Sequence, residues 1–145
     1  MAIIAVTVLV LGLICWLGQI LVVFKPDEAV KFGLGEREEE VDRSMYLFER
    51  YSQGIPDIAL TWILPTSALM MLHGIDLWPI FALIGGGIYL YFPPVFMITR
   101  CVLRKDGKKI GRPEYVAFAY ILGILWLLSA LFMIAFAVIE LRASV

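Results

Sequence analysis

One histidine and two carboxylates could form a metal or proton site at one edge of this chain. His73 and Asp76 are close in sequence, and Glu140 would join them if a helix near the carboxyl terminus ended beside them. The competing interpretation is structural, because a cation suits the carboxyl end of a helix and an aspartate caps the next helix. A single histidine also excludes a haem that is ligated by two histidines of one chain. We therefore predict no metal ion, and we keep these three residues as the alternative.

No other catalytic pattern is present. The sequence has no Cys-x-x-Cys pair, no His-Glu-x-x-His motif and no phosphate-binding glycine loop beside a strand. Cys15 and Cys101 fall at different depths of the predicted helices, so we expect free thiols. Transporters and pumps place ionisable side chains inside the membrane, whereas Asp57 and the other ionisable residues near a span are predicted at span ends. We expect no catalytic residue and a protein that is not an enzyme.

A stretch rich in glycine and proline is where a lipophilic ligand could be held. The simplest interpretation of its glycines is close packing of helices, because they lie in an apolar run with no lysine nearby. The alternative is a groove that admits a lipid, quinone or pigment tail, lined by tyrosines beside a proline break. The candidate groove residues are Gly85, Gly86, Gly87, Tyr89, Tyr91, Pro93 and Pro94. We expect no cofactor, and a bound lipid or quinone is the alternative that this pattern leaves open.

The candidate residues named above lie in or beside four apolar blocks of the sequence. Of the 145 residues, 61 % are hydrophobic and the mean hydropathy is +0.89, whereas soluble domains are about 45–50 % apolar. The blocks cover residues 2–24, 57–73, 77–99 and 115–139, and about 20 apolar residues cross a bilayer. We predict an all-α integral membrane protein, a four-helix transmembrane bundle that forms a single domain over residues 1–145. The first block lacks a basic leader and a cleavage site, so we expect a retained anchor.

Small residues and prolines in the blocks predict how the helices meet. The small residues expected at close contacts between helices are Gly12, Gly18, Ala82, Gly86, Ala119 and Gly123. Pro93 and Pro94 remove two helical hydrogen bonds. We therefore expect either a kink there or a true end near Phe92, followed by a separate interfacial helix over residues 95–104.

Two polar segments, residues 25–56 and 100–114, connect the blocks. In the first, Pro26 predicts a helix start and Gly33 a stop. A second, amphipathic helix is expected over residues 36–52, either on the membrane surface or capping the bundle.

The polar segments also hold the residues predicted to contact a partner or the membrane surface. These are Val41, Met45, Phe48, Arg104, Lys105, Lys108 and Lys109. The acidic run Glu38-Glu39-Glu40 is most simply a solvated helix face, and the alternative is a docking patch for a basic partner.

The positive charge is distributed very unevenly. Of twelve Lys and Arg residues, five fall in residues 25–54, six in residues 100–112, and only Arg142 lies elsewhere. Under the positive-inside rule both polar segments should be cytoplasmic and both termini extracytoplasmic. The basic loop, residues 100–112, has no interleaved aromatic residues. Its positive charge is explained by the membrane topology, so we expect no binding of nucleic acid.

The first block ends at Lys25-Pro26 and is followed by the run Ala29-Val-Lys-Phe-Gly-Leu34. This pattern resembles small four-span families of the DoxX-like kind. The resemblance covers about a quarter of the chain, and no site residue or activity is carried over from it.

Three functions fit these observations. The first is a non-catalytic accessory or assembly subunit of a larger membrane complex, with membrane lipids, other membrane subunits or a second copy of the chain as partners. The second is a carrier or binding protein for a lipophilic small molecule in the Gly/Pro-rich groove. The third is a small membrane enzyme or ion pathway that uses His73, Asp76 and Glu140.

Overall fold

The computed structural model describes residues 2–143, and four long helices dominate it. They are Ala2–Phe24, Arg43–Leu72, Trp78–Lys105 and Pro113–Ala143, here called the first to fourth spans, and each is long and apolar enough to cross a membrane. At about 1.5 Å per residue, even the first span covers about 35 Å, more than a hydrocarbon core of about 30 Å. The predicted all-α four-helix bundle is confirmed.

The second span starts much earlier than the sequence predicts. Helix Arg43–Leu47 leads through a π-helical turn, Phe48–Gln53, into Gly54–Leu60, and after a turn at residues 61–62 the helix resumes as Ile63–Leu72. The π-helical turn precedes Pro56, and the turn at residues 61–62 precedes Pro65. A proline has no N–H group, so it cannot donate the helical hydrogen bond to the carbonyl oxygen four residues earlier. Asp57 therefore lies within a long helix. Its predicted place at a span end is wrong.

The third span continues through its two prolines. Helix Trp78–Lys105 contains both Pro93 and Pro94 in its interior, so the alternative in which it ends near Phe92 is wrong. Phe92 and Pro93 are both buried. Packing on the neighbouring spans therefore keeps the helix continuous where local propensity predicts a break.

The predicted small residues pack the spans of this chain against one another. A Cβ on Gly12 would lie 2.8 Å from Pro65, one on Gly86 would lie 2.6 Å from Ile134, and one on Gly123 would lie 3.0 Å from Phe96. Ala82 is fully buried and Ala119 packs against the core. Gly18 differs from the others, because a Cβ there would meet only Leu34, outside the spans, at an ordinary 3.5 Å. The remaining small faces are used inside the bundle, where they allow helices to approach closely.

Two tryptophans near the middle of the spans also connect helices. The Trp16 indole donates to the carbonyl oxygen of Ile58 at 2.9 Å, and the Trp126 indole donates to the carbonyl oxygen of Leu11 at 3.0 Å. Each bond joins the first span to another span. Both rings therefore serve the interior of the bundle, because a buried indole N–H needs an acceptor.

The two polar segments lie at the same end of the bundle and contact each other. Val41 and Ile110 form an isolated antiparallel bridge, and the Asp42 N–H donates to the Lys109 carbonyl oxygen at 2.8 Å. Arg112 lies 3.1 Å from the Glu40 carboxylate. Glu40 of the acidic run thus pairs with the chain's own basic loop, while Glu38 and Glu39 are exposed to solvent.

The helix predicted over residues 36–52 is formed only in its second half, from Arg43 onward, where it continues into the second span. Residues Glu38–Glu40 form one 3-10 turn, Val41 is extended, and helix begins at Arg43. Val41 and Met45 are buried in the protein, so the prediction that they contact a partner or the membrane surface is wrong. Phe48 is partly exposed. The basic residues of the set, Arg104, Lys105, Lys108 and Lys109, are all exposed.

We predict that Gly85→Ala destabilises the bundle and that Gly87→Ala does not. A Cβ at Gly85 would lie 2.6 Å from the backbone nitrogen of Leu64, whereas Gly87 has open space around it. Overpacking against backbone costs about 1–3 kcal/mol, while alanine in an exposed helix gains up to about 1 kcal/mol over glycine. Thermal unfolding in mild detergent measures both. Equal loss in the two variants would contradict the close approach at Gly85.

Candidate functional site

A buried arginine organises the polar end of the bundle. Arg100 Nε and Nη2 donate to the two carboxylate oxygens of Glu49 at 3.0 and 2.9 Å. Nη2 also donates to Glu36 at 2.7 Å, and Nη1 donates to the carbonyl oxygen of Ile110 at 3.1 Å. The side chains of Arg100 and Glu36 are only 7 % and 6 % exposed. Arg100 therefore connects the third span to three other parts of the chain: to the second span through Glu49, to the segment before the second span through Glu36, and to the basic loop through Ile110.

The local backbone is shaped to admit this cluster. Gly111 has φ +101°, a conformation that favours glycine. A Cβ at this position would overlap the Glu36 carboxylate. Glu49 lies in the π-helical turn, a type of irregularity that is frequent at functional sites. The sequence thus places a glycine where the carboxylate and the basic loop must nearly touch.

The Glu36 carboxyl is the least satisfied member of the cluster. Burial raises its pKa above the ordinary value, and the attraction of Arg100 offsets only part of this effect. Its Oε1 atom is buried and has no hydrogen-bond partner in the described part of the chain. A buried acceptor without a donor is costly. This end of the bundle could therefore accommodate one more hydrogen-bond donor.

A cavity of about 140 Å³ lies next to the cluster. Its walls come from all four spans and from the segment that follows the first span. Most of the wall is apolar, including Val22, Phe96, Leu122 and Trp126. The polar groups on the wall are the amides of Gln19 and Gln53, the phenols of Tyr46 and Tyr115, the guanidinium groups of Arg50 and Arg100, and the carboxylates of Glu36 and Glu49. The cavity is thus amphipathic.

Arg50 is a second guanidinium on this wall. It donates to the Val23 carbonyl oxygen at 3.1 and 3.3 Å and to the Tyr46 hydroxyl at 3.0 Å. Its charge also lies 5.0 Å from the centre of the Tyr51 ring. Within residues 2–143, no carboxylate is within ion-pair distance of Arg50. Unlike Arg100, it therefore keeps a positive charge that no acidic side chain neutralises.

A second polar group lies deeper, between the first three spans. The Tyr89 hydroxyl donates to the Thr61 carbonyl oxygen at 2.9 Å and approaches the Gly12 carbonyl oxygen at 3.4 Å. The Thr61 hydroxyl donates to the Asp57 carbonyl oxygen at 2.7 Å. Pro65 cannot donate to the Thr61 carbonyl, so Tyr89 satisfies an acceptor that the proline leaves free.

The predicted groove on the third span is not formed. Gly85 packs on Leu64 and Gly86 packs on Ile134. The other predicted groove residues are scattered around the helix: Gly87 and Tyr91 are exposed, Tyr89 and Pro93 are buried, and Pro94 is partly buried. None of these residues lines the cavity. Close packing is therefore the correct interpretation of Gly85 and Gly86, and the cavity lies on a different side of the bundle.

The candidate metal residues are not assembled into a site. His73, Asp76 and Glu140 are all exposed. The His73 Nδ1 atom lies 2.9 Å from the carbonyl oxygen of Leu69, one turn earlier in its own helix. In the described chain, no three His, Cys, Asp or Glu side chains are placed to hold a metal ion. His73 thus lies at the helix end that a cation suits.

Sequence reasoning missed the residues that dominate the polar end. It used Arg100 and Arg50 only as charges in the topology argument, and it gave Glu36 and Glu49 no role. One local signal was present, because the residue one helical turn before Arg100 is the apolar Phe96. The free thiols were expected, and Cys15 is indeed free and buried while Cys101 is free and exposed.

The chain matches no protein-family model, no curated protein and no solved structure. The resemblance of its first segment to DoxX-like proteins therefore gains no support from these comparisons. The geometry of the polar end is the basis for a functional proposal.

We predict that Arg100→Gln destabilises the protein by about 3–5 kcal/mol, because it leaves two buried carboxylates without their cation. Lys105→Gln, one turn along the same helix and exposed, should change stability by no more than about 0.5 kcal/mol. Unfolding in mild detergent, followed by circular dichroism, compares the two variants. If they were equally stable, Arg100 would not be the organising contact of this end.

Proposed function

We propose that the protein binds a lipophilic small molecule with a polar head group in the cavity beside Arg100. The observation that carries this proposal is the guanidinium of Arg50, whose hydrogen bonds all go to uncharged oxygens, on an otherwise mostly apolar wall. Ligand sites in proteins are mostly apolar and carry a few polar groups that fix orientation. A lipid or a quinone combines the two features that this wall would recognise.

The position of the cavity supports entry from the membrane. Ile14 on the first span and Phe118 on the fourth line the cavity, and they are also 38 % and 44 % exposed on the outside of the bundle. The cavity therefore reaches the lipid-facing surface between these spans. Its volume of about 140 Å³ suits a head group or a ring, with the remaining tail lying in the bilayer.

Two glycines on different surfaces provide a matched pair of variants. Gly18 lines the cavity, and a Cβ there would meet Leu34 only at the ordinary distance of 3.5 Å. Leucine at this position should fold and project into the cavity. Gly87 faces open space on the outside of the bundle, so leucine there should leave the cavity unchanged.

We predict that native mass spectrometry of the wild-type protein, extracted gently from its membrane, shows one bound small molecule per chain. The Gly18→Leu variant should lose it, because its side chain fills the cavity, and the Gly87→Leu variant should retain it. An empty wild-type chain, or equal retention in both variants, would contradict binding at this cavity.

An accessory role in a membrane complex is the second candidate. The observation that favours it is the open space around Gly87 on the outside of the third span. Tyr91 lies one helical turn further along and is 72 % exposed. Small residues let a partner helix approach closely in a bilayer. In the experiment above, co-purifying subunits that disappear only in Gly87→Leu would support this role.

We also propose that the polar end of the bundle lies in the cytoplasm and that both termini lie outside. The support is the excess of Lys and Arg in the two segments that meet at this end. The terminal residues Met1 and Val145 themselves lie outside the described residues.

The native cysteines allow this orientation to be tested without an introduced label. Cys101 is exposed near the basic loop and Cys15 is buried. A membrane-impermeant maleimide should label inverted vesicles but not intact cells, and Cys101→Ser should abolish the labelling. Labelling of intact cells would place the basic loop on the opposite side.

A further inference from the structure

Asp57 is a carboxyl group buried in the second span without a partner. Its residue is 6 % exposed, and its Oδ2 atom is buried with no hydrogen bond within residues 2–143. No Lys, Arg or His side chain of the described chain lies within ion-pair distance of it. A charge buried in this way is strongly disfavoured, and ionisable residues inside a span generally mark a functional site.

The neighbouring donors are all directed to backbone carbonyl groups and not to this carboxyl. The Thr61 hydroxyl donates to the Asp57 carbonyl oxygen, and the Tyr89 hydroxyl donates to the Thr61 carbonyl oxygen. The Gln53 amide donates to Phe92, and the Trp16 indole donates to Ile58. A hydroxyl or an indole has only one proton to donate, so the bonds that Thr61, Tyr89 and Trp16 already make leave none of their protons for an ionised Asp57.

The surrounding titratable groups provide no compensating charge. Those nearest to it on other helices are the Cys15 thiol of the first span, next to the Trp16 that bonds Ile58, and the Tyr89 hydroxyl of the third span, which donates to Thr61. On its own helix, Glu49 is bound to Arg100, and Arg50 is bound to Val23 and Tyr46. The uncharged carboxylic acid is therefore the form that this environment accepts.

We propose that Asp57 is a proton-binding site inside the bundle, reached from the polar end through the cavity. Two residues connect the cavity to Asp57. Gln53 lines the cavity and lies four residues before Asp57, and Cys15 lines the cavity and directly precedes Trp16, whose indole donates to Ile58. Binding converts the carboxylate to the neutral acid, and release returns the proton along the same route. This site is independent of the ligand proposed above, because its occupant is the proton itself.

The experiment is a pH titration of aspartate carboxyl signals by solid-state NMR, on ¹³C-labelled protein in lipid bilayers. The chain has five aspartates, at positions 27, 42, 57, 76 and 106, and Asp57 is the only one that is buried. One signal should titrate at least about 2.5 pH units above the other four, which is about twice the standard deviation of about 1.2 units found for protein aspartates.

Two variants assign that signal. Asp57→Asn should remove the shifted signal and leave the other four, while Glu36→Gln, which changes a buried carboxyl at the cavity's polar end, should leave it in place. If all five signals of the wild-type protein titrated together, Asp57 would not be a proton-binding site. The readout is independent of any bound molecule, so an empty cavity would not affect the result.

Discussion

The structure depends on satisfying one buried guanidinium at the polar end of the bundle. Arg100 uses its nitrogens on Glu36, Glu49 and the Ile110 carbonyl. These acceptors belong to three different segments of the chain, and each must come to the same point. Removing one partner of a buried ion pair is strongly destabilising, because the other charge then remains buried without compensation. The cluster therefore specifies the arrangement of the polar end, whatever it adds to net stability.

Several irregularities of the fold are consistent with this constraint. The third span must continue past Pro93 and Pro94 for Arg100 to extend from its last turns. The π-helical turn contains Glu49, and Gly111 leaves room for the Glu36 carboxylate. Deeper in the bundle, the connections are of another kind. Side chains such as Trp16, Tyr89 and Trp126 donate to backbone carbonyl groups of neighbouring spans, and such bonds place no charge inside the membrane-spanning region.

Hydropathy predicted the number of spans, the first span's bounds and the all-α class, because these follow from average composition over about 20 residues. It also led to the inference that the two polar segments share one end of the bundle. The position of the cavity could not be predicted in this way. Whether Gly85 and Gly86 form a groove or a tight contact depends on Leu64 and Ile134, which lie far away in sequence. Asp57 was misplaced because the second apolar block was taken to begin at residue 57, whereas the helix begins at Arg43.

The unequal lengths of the spans relate the buried charges to the thickness of the surrounding bilayer. The second and third spans, of 30 and 28 residues, are about 45 and 42 Å long, which exceeds a hydrocarbon core of about 30 Å. Both extend to the end that holds Glu49 and Arg100. In a thin membrane these charges lie among the lipid head groups, where water and phosphate surround the cluster. In a membrane a few ångströms thicker the hydrocarbon approaches them, so hydrophobic mismatch at this end would favour the thinner membrane for this bundle.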